Sequence, residues 1–223
     1  VDGIIDALNS LNIGTFWSTT SGGNTFINTY NDFVTYTNLV INNNGNILIS
    51  VSALLATPLN FSLTLSSPNQ MFWDWGDGTV QEFNVANPAP SHTYTVAGNY
   101  TIIVTFTNPP SLLTMNCSNN ITAFSIIEDV LTGLQQFFLN ANDVTTFDTS
   151  KLSNSTSLTS FRADNNDLIS FDASFLSNTL VTLWLHGNNM TSVDLPLPTG
   201  ITSILLHGNN LPVANVNTIL IAL

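Results

Sequence analysis

Trp73-Asp74-Trp75-Gly76-Asp77-Gly78-Thr79, followed by His92-Thr93-Tyr94 and then Gly98-Asn99-Tyr100-Thr101-Ile102-Ile103-Val104, decides how the middle of this chain is read. Asp77-Gly78 supports a tight turn after a strand, and Ile102, Val104 and Phe106 alternate toward one face. Working outward, residues 46–53, 59–65, 71–75, 80–85, 92–96 and 99–108 all read as strands separated by turn residues. Six such strands make a β-sandwich over 46–108. Pro109-Pro110 cannot continue a ladder, so the doublet is expected to mark the boundary to a second architecture.

The three spaced elements resemble the PKD family of immunoglobulin-like sandwiches. That family carries a W-D-F-G-D-G-T turn, an H-T-Y strand start and a G-x-Y-x-V-x-V closing strand. Here only the Phe of the first element differs, as Trp75. The resemblance implies that Trp73, Asp74, Gly76, Asp77, Gly78, His92, Tyr94 and Tyr100 form a structural motif, and that the sandwich is a module rather than a reaction centre. Asp74 and Asp77 are also the residues from which a calcium site would be made, since hard cations take carboxylate oxygens. The resemblance favours the plainer role, carboxylates that accept backbone N–H bonds. Catalytic carboxylates would need a cleft and a partner that raises a pKa, and the sequence offers neither.

A repeat follows. Leu134, Phe137, Leu139, Asn142 and Val144 fit the template L-x-x-L-x-L-x-x-N-x-L, as do Leu158/Phe161/Ala163/Asn166/Leu168, Leu180/Leu183/Leu185/Asn188/Met190 and Ile201/Ile204/Leu206/Asn209/Leu211. The asparagines fall 24, 22 and 21 residues apart, inside the leucine-rich-repeat range of about 20 to 29. Ile121, Phe124, Ile126, Asp129 and Leu131 mimic the template only 13 residues earlier and are read as an entry cap. Residues 109–212 therefore resemble bacterial leucine-rich repeats whose spacers carry no long helix. That resemblance implies a solenoid in which Asn142, Asn166, Asn188 and Asn209 stack to satisfy loop backbone groups. Residues 213–223 place Val213, Val216, Ile219, Leu220 and Leu223 at helical spacing and are expected to cap it. The apolar finish implies either a chain continuing past Leu223 or a helix docked on another subunit.

Between its core leucines each repeat strand exposes positions that line up in columns about 4.8 Å apart. One column reads Phe138, Arg162, Trp184, Leu205, and the next Asn140, Asp164, His186, His207. Either other parts of the chain cover the apolar column, or it is an interaction surface. His186 and His207 with Asp164 have the residue types of a transition-metal site. Duplication of an H-G-N-N turn explains both histidines without a metal, so no metal or cofactor is assigned.

Composition narrows the function classes. Only 7% of residues are charged, Lys151 and Arg162 are the sole Lys or Arg, and the net charge is -12. Such a chain has no basic surface to neutralise phosphates, which argues against nucleic acid. Without a long apolar run it is not expected to insert in a membrane. A surface of Asn, Thr and Ser points outside the cell, and the single Cys117 rules out an internal disulfide. N-x-S/T sequons occur at Asn60, Asn99, Asn116, Asn120, Asn154 and Asn189. Residues 1–45 read as a small α+β unit with Ile4, Ile5, Leu8 and Leu11 on one helix face behind Asp2, and strands over 15–18, 25–30 and 33–41. No G-x-S-x-G elbow, Cys/His pair or phosphate loop is present.

The fold class expected is mainly β: an Ig-like sandwich, a short solenoid and a small N-terminal unit. The function expected is that of a non-catalytic extracellular structural protein of bacterial or phage surface type. It would be a subunit of a surface filament, appendage or virus particle that assembles with copies of itself. The alternative is an adhesin that binds a glycan or surface protein through the strand face at Phe138, Arg162, Trp184 and His186. A third reading is an accessory module of a secreted hydrolase.

Overall fold

The computed structural model describes residues 25–26, 47–53, 58–106, 112–117, 120–126 and 131–222. The N-terminal unit expected over 1–45 lies outside these residues, apart from a short strand at Thr25–Phe26.

The sandwich strands are β1 (Thr25–Phe26), β2 (Ile47–Ala53), β3 (Leu59–Asn60), β4 (Ser62–Leu65), β5 (Asn69–Asp74), β6 (Val80–Val85), β7 (Ser91–His92), β8 (Gly98–Phe106), β9 (Leu112–Asn116) and β10 (Ile121–Ile126). The first sheet has the order β1-β6-β5-β8-β2-β10 and is antiparallel at every pairing. Its inner face carries Ile47, Ile49, Val51, Met71, Trp73, Ile102, Val104 and Phe106, all buried. The period-2 pattern in β8 predicts this, because successive side chains point to opposite faces.

The second sheet runs β4, β9, then β11 (Gln136–Phe138), β12 (Ser160–Arg162), β14 (Thr182–Trp184) and β16 (Ser203–Leu205) in spatial order. β9 pairs antiparallel with β4, Thr64 opposite Thr114, and on its other side parallel with β11, Met115 beside Phe137. The sandwich's second sheet thus passes directly into the stack of parallel strands, and it does so beyond the Pro109-Pro110 doublet. The strand chemistry of β9 explains this. Leu112-x-x-Met115-x-Cys117-x-x-Asn120 has the spacing of the later coils, 22 residues ahead of Leu134/Phe137/Leu139/Asn142. Leu112, Met115 and Cys117 are buried in the common core, and the Cys117 N–H donates to the Phe138 carbonyl at 3.0 Å. The first coil is therefore this stretch. Ile121–Ile126, expected to be the entry cap, is a strand of the first sheet antiparallel to β2.

Each coil returns along the far side of the solenoid. There β13 (Ser170–Asp172) and β15 (Ser192–Asp194) form a two-stranded parallel sheet. Single 3₁₀ turns at Thr149–Leu152 and Ala173–Phe175 are capped by Asp148 and Asp172, whose Oδ1 atoms accept from the N–H groups of Ser150 and Ser174. One helix, α1 (Val213–Ala222), follows the last coil. A single hydrophobic core runs without a break from Ile47 in the sandwich to Ile219 in α1.

The coils are held in register by four carboxamides. The Oδ1 atoms of Asn142, Asn166, Asn188 and Asn209 accept from the N–H groups of Ile121, Val144, Leu168 and Met190, one coil earlier, at 2.9 to 3.1 Å. Their Nδ2 groups donate to carbonyls of their own turn, and for Asn166, Asn188 and Asn209 also to Leu139, Ala163 and Leu185 of the preceding coil. The amide is the one uncharged side chain with both acceptor and donors at that reach. Replacing Asn188 by Ala leaves several buried backbone groups unpaired, each costing about 1–3 kcal/mol. Urea unfolding should show Asn188→Ala destabilised by about 3 kcal/mol and Asn209→Ala, which is only half-buried, by clearly less.

Candidate functional site

Polar and aromatic side chains converge in two places, the turn after β5 and the strand face of the solenoid. In the turn, Gly76 and Gly78 have φ of +79° and +90°. A Cβ on Gly76 would stand 2.6 Å from the Thr101 carbonyl oxygen of β8, so both backbone sign and space require glycine there. The carboxylates brace the same turn. Asp74 Oδ1 accepts from the Gly76 N–H at 2.9 Å and Asp77 Oδ1 from the Thr79 N–H at 3.0 Å. His92 Nε2 lies 2.8 Å from Asp77 Oδ2, and the His92 ring stacks on Trp75 at 4.9 Å. Tyr94 is edge-on to His92, stacks on Tyr100 at 4.0 Å, and donates its hydroxyl to the Trp75 carbonyl at 2.7 Å. Trp73 lies at the centre of the core beside Trp75.

The electrostatics agree with this bracing role. Burial pushes the Asp77 carboxyl up, but the hydrogen bonds from His92 and Thr79 outweigh it and hold the group below its ordinary value. Burial, helped by Asp77, Tyr100 and Asp74, raises the Tyr94 phenol, which keeps its donor proton. Asp77, His92 and Tyr94 thus link the turn to the strands after it.

On the solenoid, the structure brings the predicted face residues together along the columns. Parallel pairing sets Phe138 beside Arg162, Arg162 beside Trp184 and Trp184 beside Leu205. The Arg162 guanidinium sits 4.2 Å over the Trp184 ring and 5.9 Å from the Phe138 ring, so cation and aromatics cover one another. All four residues of this column are half-buried. Arg162 also donates from Nε and Nη2 to the two oxygens of Asp164, at 3.1 and 3.4 Å, and Asn165 Nδ2 donates to Oδ2. The Asp164 side chain is only 3% exposed, so this carboxylate needs these donors. His186 Nε2 lies 3.7 Å from Asp164 Oδ2. The His186 and His207 rings stack face to face at 4.7 Å, which presents ring planes to each other rather than converging nitrogens. Among the described residues no three of His, Cys, Asp or Glu come together to hold a metal ion.

Left-handed residues follow the second column in the four coils that end at Asn142, Asn166, Asn188 and Asn209: Ala141, Asn165, Gly187 and Gly208, with φ between +54° and +67°. These turns swing the chain from the strand into the asparagine ladder. A Cβ at Gly187 would meet Asn165 Oδ1 at 2.6 Å, so the H-G-N-N duplication keeps its glycine for close coil stacking.

The family model of the PKD domain matches residues 46–120. No match is found among curated proteins. The matched span includes β9, in keeping with a second sheet that continues past the proline doublet. The PKD domain is an extracellular-type, immunoglobulin-like module, compatible with structural or adhesion roles. Among the described residues no helix is long and apolar enough to cross a membrane.

The lowered Asp77 value sets a pH dependence. Because the folded carboxyl binds its proton less readily than the unfolded one, its contribution is fully present above about pH 4 and is lost as pH falls through the folded value. Urea midpoints measured from pH 2 to 5 should fall on acidification in the parent chain. In Asp77→Asn the curve should be flatter over that window, from a lower value at neutral pH.

Proposed function

We propose that this chain is a non-catalytic extracellular structural protein, a subunit that assembles with copies of itself into a surface filament, appendage or virus particle. In this reading the coils are leucine-rich repeats. What supports that is the 21-to-24-residue spacing of asparagines whose carboxamides bridge successive coils. The polar groups with chemical potential are engaged in bracing the fold: Asp74 and Asp77 in the turn, Arg162 and Asp164 on the sheet face.

The observation that carries the assembly reading is the surface of α1. Ile219 is buried, 3% exposed, whereas Leu220 and Ile221 on the same helix are 64% and 86% exposed. An apolar helix face of this kind at the end of a solenoid suits burial by another molecule. The chain also has few charges to desolvate at a contact.

A recognition module is the second reading. It is favoured by Trp184 and Arg162 lying side by side on a sheet face flanked by half-buried His186 and Asn140. Electron microscopy and sedimentation velocity at neutral pH discriminate the two. Particles well above 24.1 kDa that grow with concentration are expected for a structural subunit. A monomer that binds glycan or protein probes, and loses them on Trp184→Ala, would replace the first reading with the second.

A further inference from the structure

We infer that the free edge of β16, with the adjoining face of α1, is where one copy of this chain joins a second copy, strand to strand across a twofold axis. This rests on the self-assembly reading and names its surface.

Two other sheet edges are closed by the chain itself. Outside β4, the N–H groups of Phe61, Leu63 and Leu65 donate to the carbonyls of Pro90, Pro88 and Ala86 at 2.7 to 3.1 Å. Pro88 and Pro90 lack N–H donors, so that strap ends the ladder. On the far side of the solenoid, Val193 of β15 is met by Asn215 of α1. Its N–H donates to Asn215 Oδ1 at 3.3 Å and its carbonyl accepts from Nδ2 at 3.4 Å. A side chain here takes the place of a following strand.

β16 has no such closure among the described residues. Its inner side bonds to the preceding coil, where the Leu185 and Gly187 N–H groups donate to the carbonyls of Leu205 and His207. One coil later the equivalent donors are Leu206 and Gly208, and the next ladder donor after Val144, Leu168 and Met190 is Leu211. No described residue accepts from these three. Behind them lies a cavity of about 360 Å³ lined by Ile204, Leu206, Leu211, Val216, Ile219 and Leu220. A row of unpaired backbone groups in front of an apolar cavity is the chemistry of strand addition.

Charge selects the occupant. From Leu195 to Leu223 there is no Asp, Glu, Lys or Arg, although the chain carries 14 acidic residues and a net charge of -12. A cationic partner would be drawn to the acidic remainder, whereas a like-charged chain meets least repulsion at this end. A second copy fits that requirement. Because the β4 end of the same sheet is closed, the sheet does not continue head to tail, and β16 pairs with its own counterpart in an isologous contact.

The test is sedimentation equilibrium of the full chain beside Leu220→Glu, Ile221→Glu and Ile204→Lys, with thermal unfolding as a check on the fold. The two helix changes lie at exposed positions and should leave unfolding unchanged at concentrations where the parent is also monomeric. The parent chain is expected to associate to dimers or larger particles through this contact, and each variant to do so about tenfold more weakly or worse. A parent that associates while the folded helix variants associate equally well overturns this surface and leaves self-assembly standing. A parent that stays monomeric at high concentration overturns both.

Discussion

The structure depends on β9 making backbone hydrogen bonds on both sides, antiparallel to β4 and parallel to β11. A sandwich strand and the first strand of a solenoid are normally different objects, because one ends a closed core and the other starts an open stack. Here Leu112–Asn116 is both. Its inward side chains, Leu112 and Met115, sit in the core that holds Trp73 on one side and Phe137 on the other. A repeat array needs a cap where its first coil would otherwise expose apolar side chains. The sandwich supplies that cap by sharing a sheet, so the two parts have one core.

Once the first parallel pair is set, the repeat distance does the rest. Strands about 4.8 Å apart place equivalent side chains in contact, so every column becomes a stack. Asparagine stacks become hydrogen-bonded ladders, Phe137 and Phe161 of successive coils meet edge to face, and Arg162 fills the space between Phe138 and Trp184. The same geometry makes repetition of charge costly. The buried Asp164 is tolerated because Arg162 and Asn165 reach it from neighbouring positions.

Legibility in the sequence followed how local the determining interaction is. The turn from Trp73 to Thr79 could be read because its bonds join residues two apart, such as Asp74 with Gly76 and Asp77 with Thr79. The coil period was visible because each coil repeats one pattern of leucines and an asparagine. The first coil is hidden in the sequence because Met115 and Cys117 stand where later coils have Phe, Leu, Ile or Ala, and because Ile121, Phe124 and Ile126 imitate the template nearby. What decides between them is pairing with β2 and β11, residues far away in the chain, which no local period records. The face columns were legible as neighbours, but not as a self-covering stack, since that depends on side-chain reach. That the N–H groups of Leu206, Gly208 and Leu211 have no acceptor among the described residues was illegible for a like reason, because an open edge exists only relative to strands that pair elsewhere.

Edge protection is unequal across the sheets of the solenoid. At the β4 end, prolines remove the donors that another strand would need, and on the far side of the solenoid Asn215 satisfies both groups of Val193. Blocking by proline and by a side-chain amide are both ways to prevent strand addition. At β16 neither device is present among the described residues, and the helix beside it turns Leu220 and Ile221 outward. Residues 213–222 carry polar side chains at Asn215, Asn217 and Thr218 but no charged one, and Leu220 and Ile221 add an apolar surface that sealing the stack does not require. The end of the solenoid is therefore built with the donors, the apolar volume and the low charge that a strand-pairing contact requires.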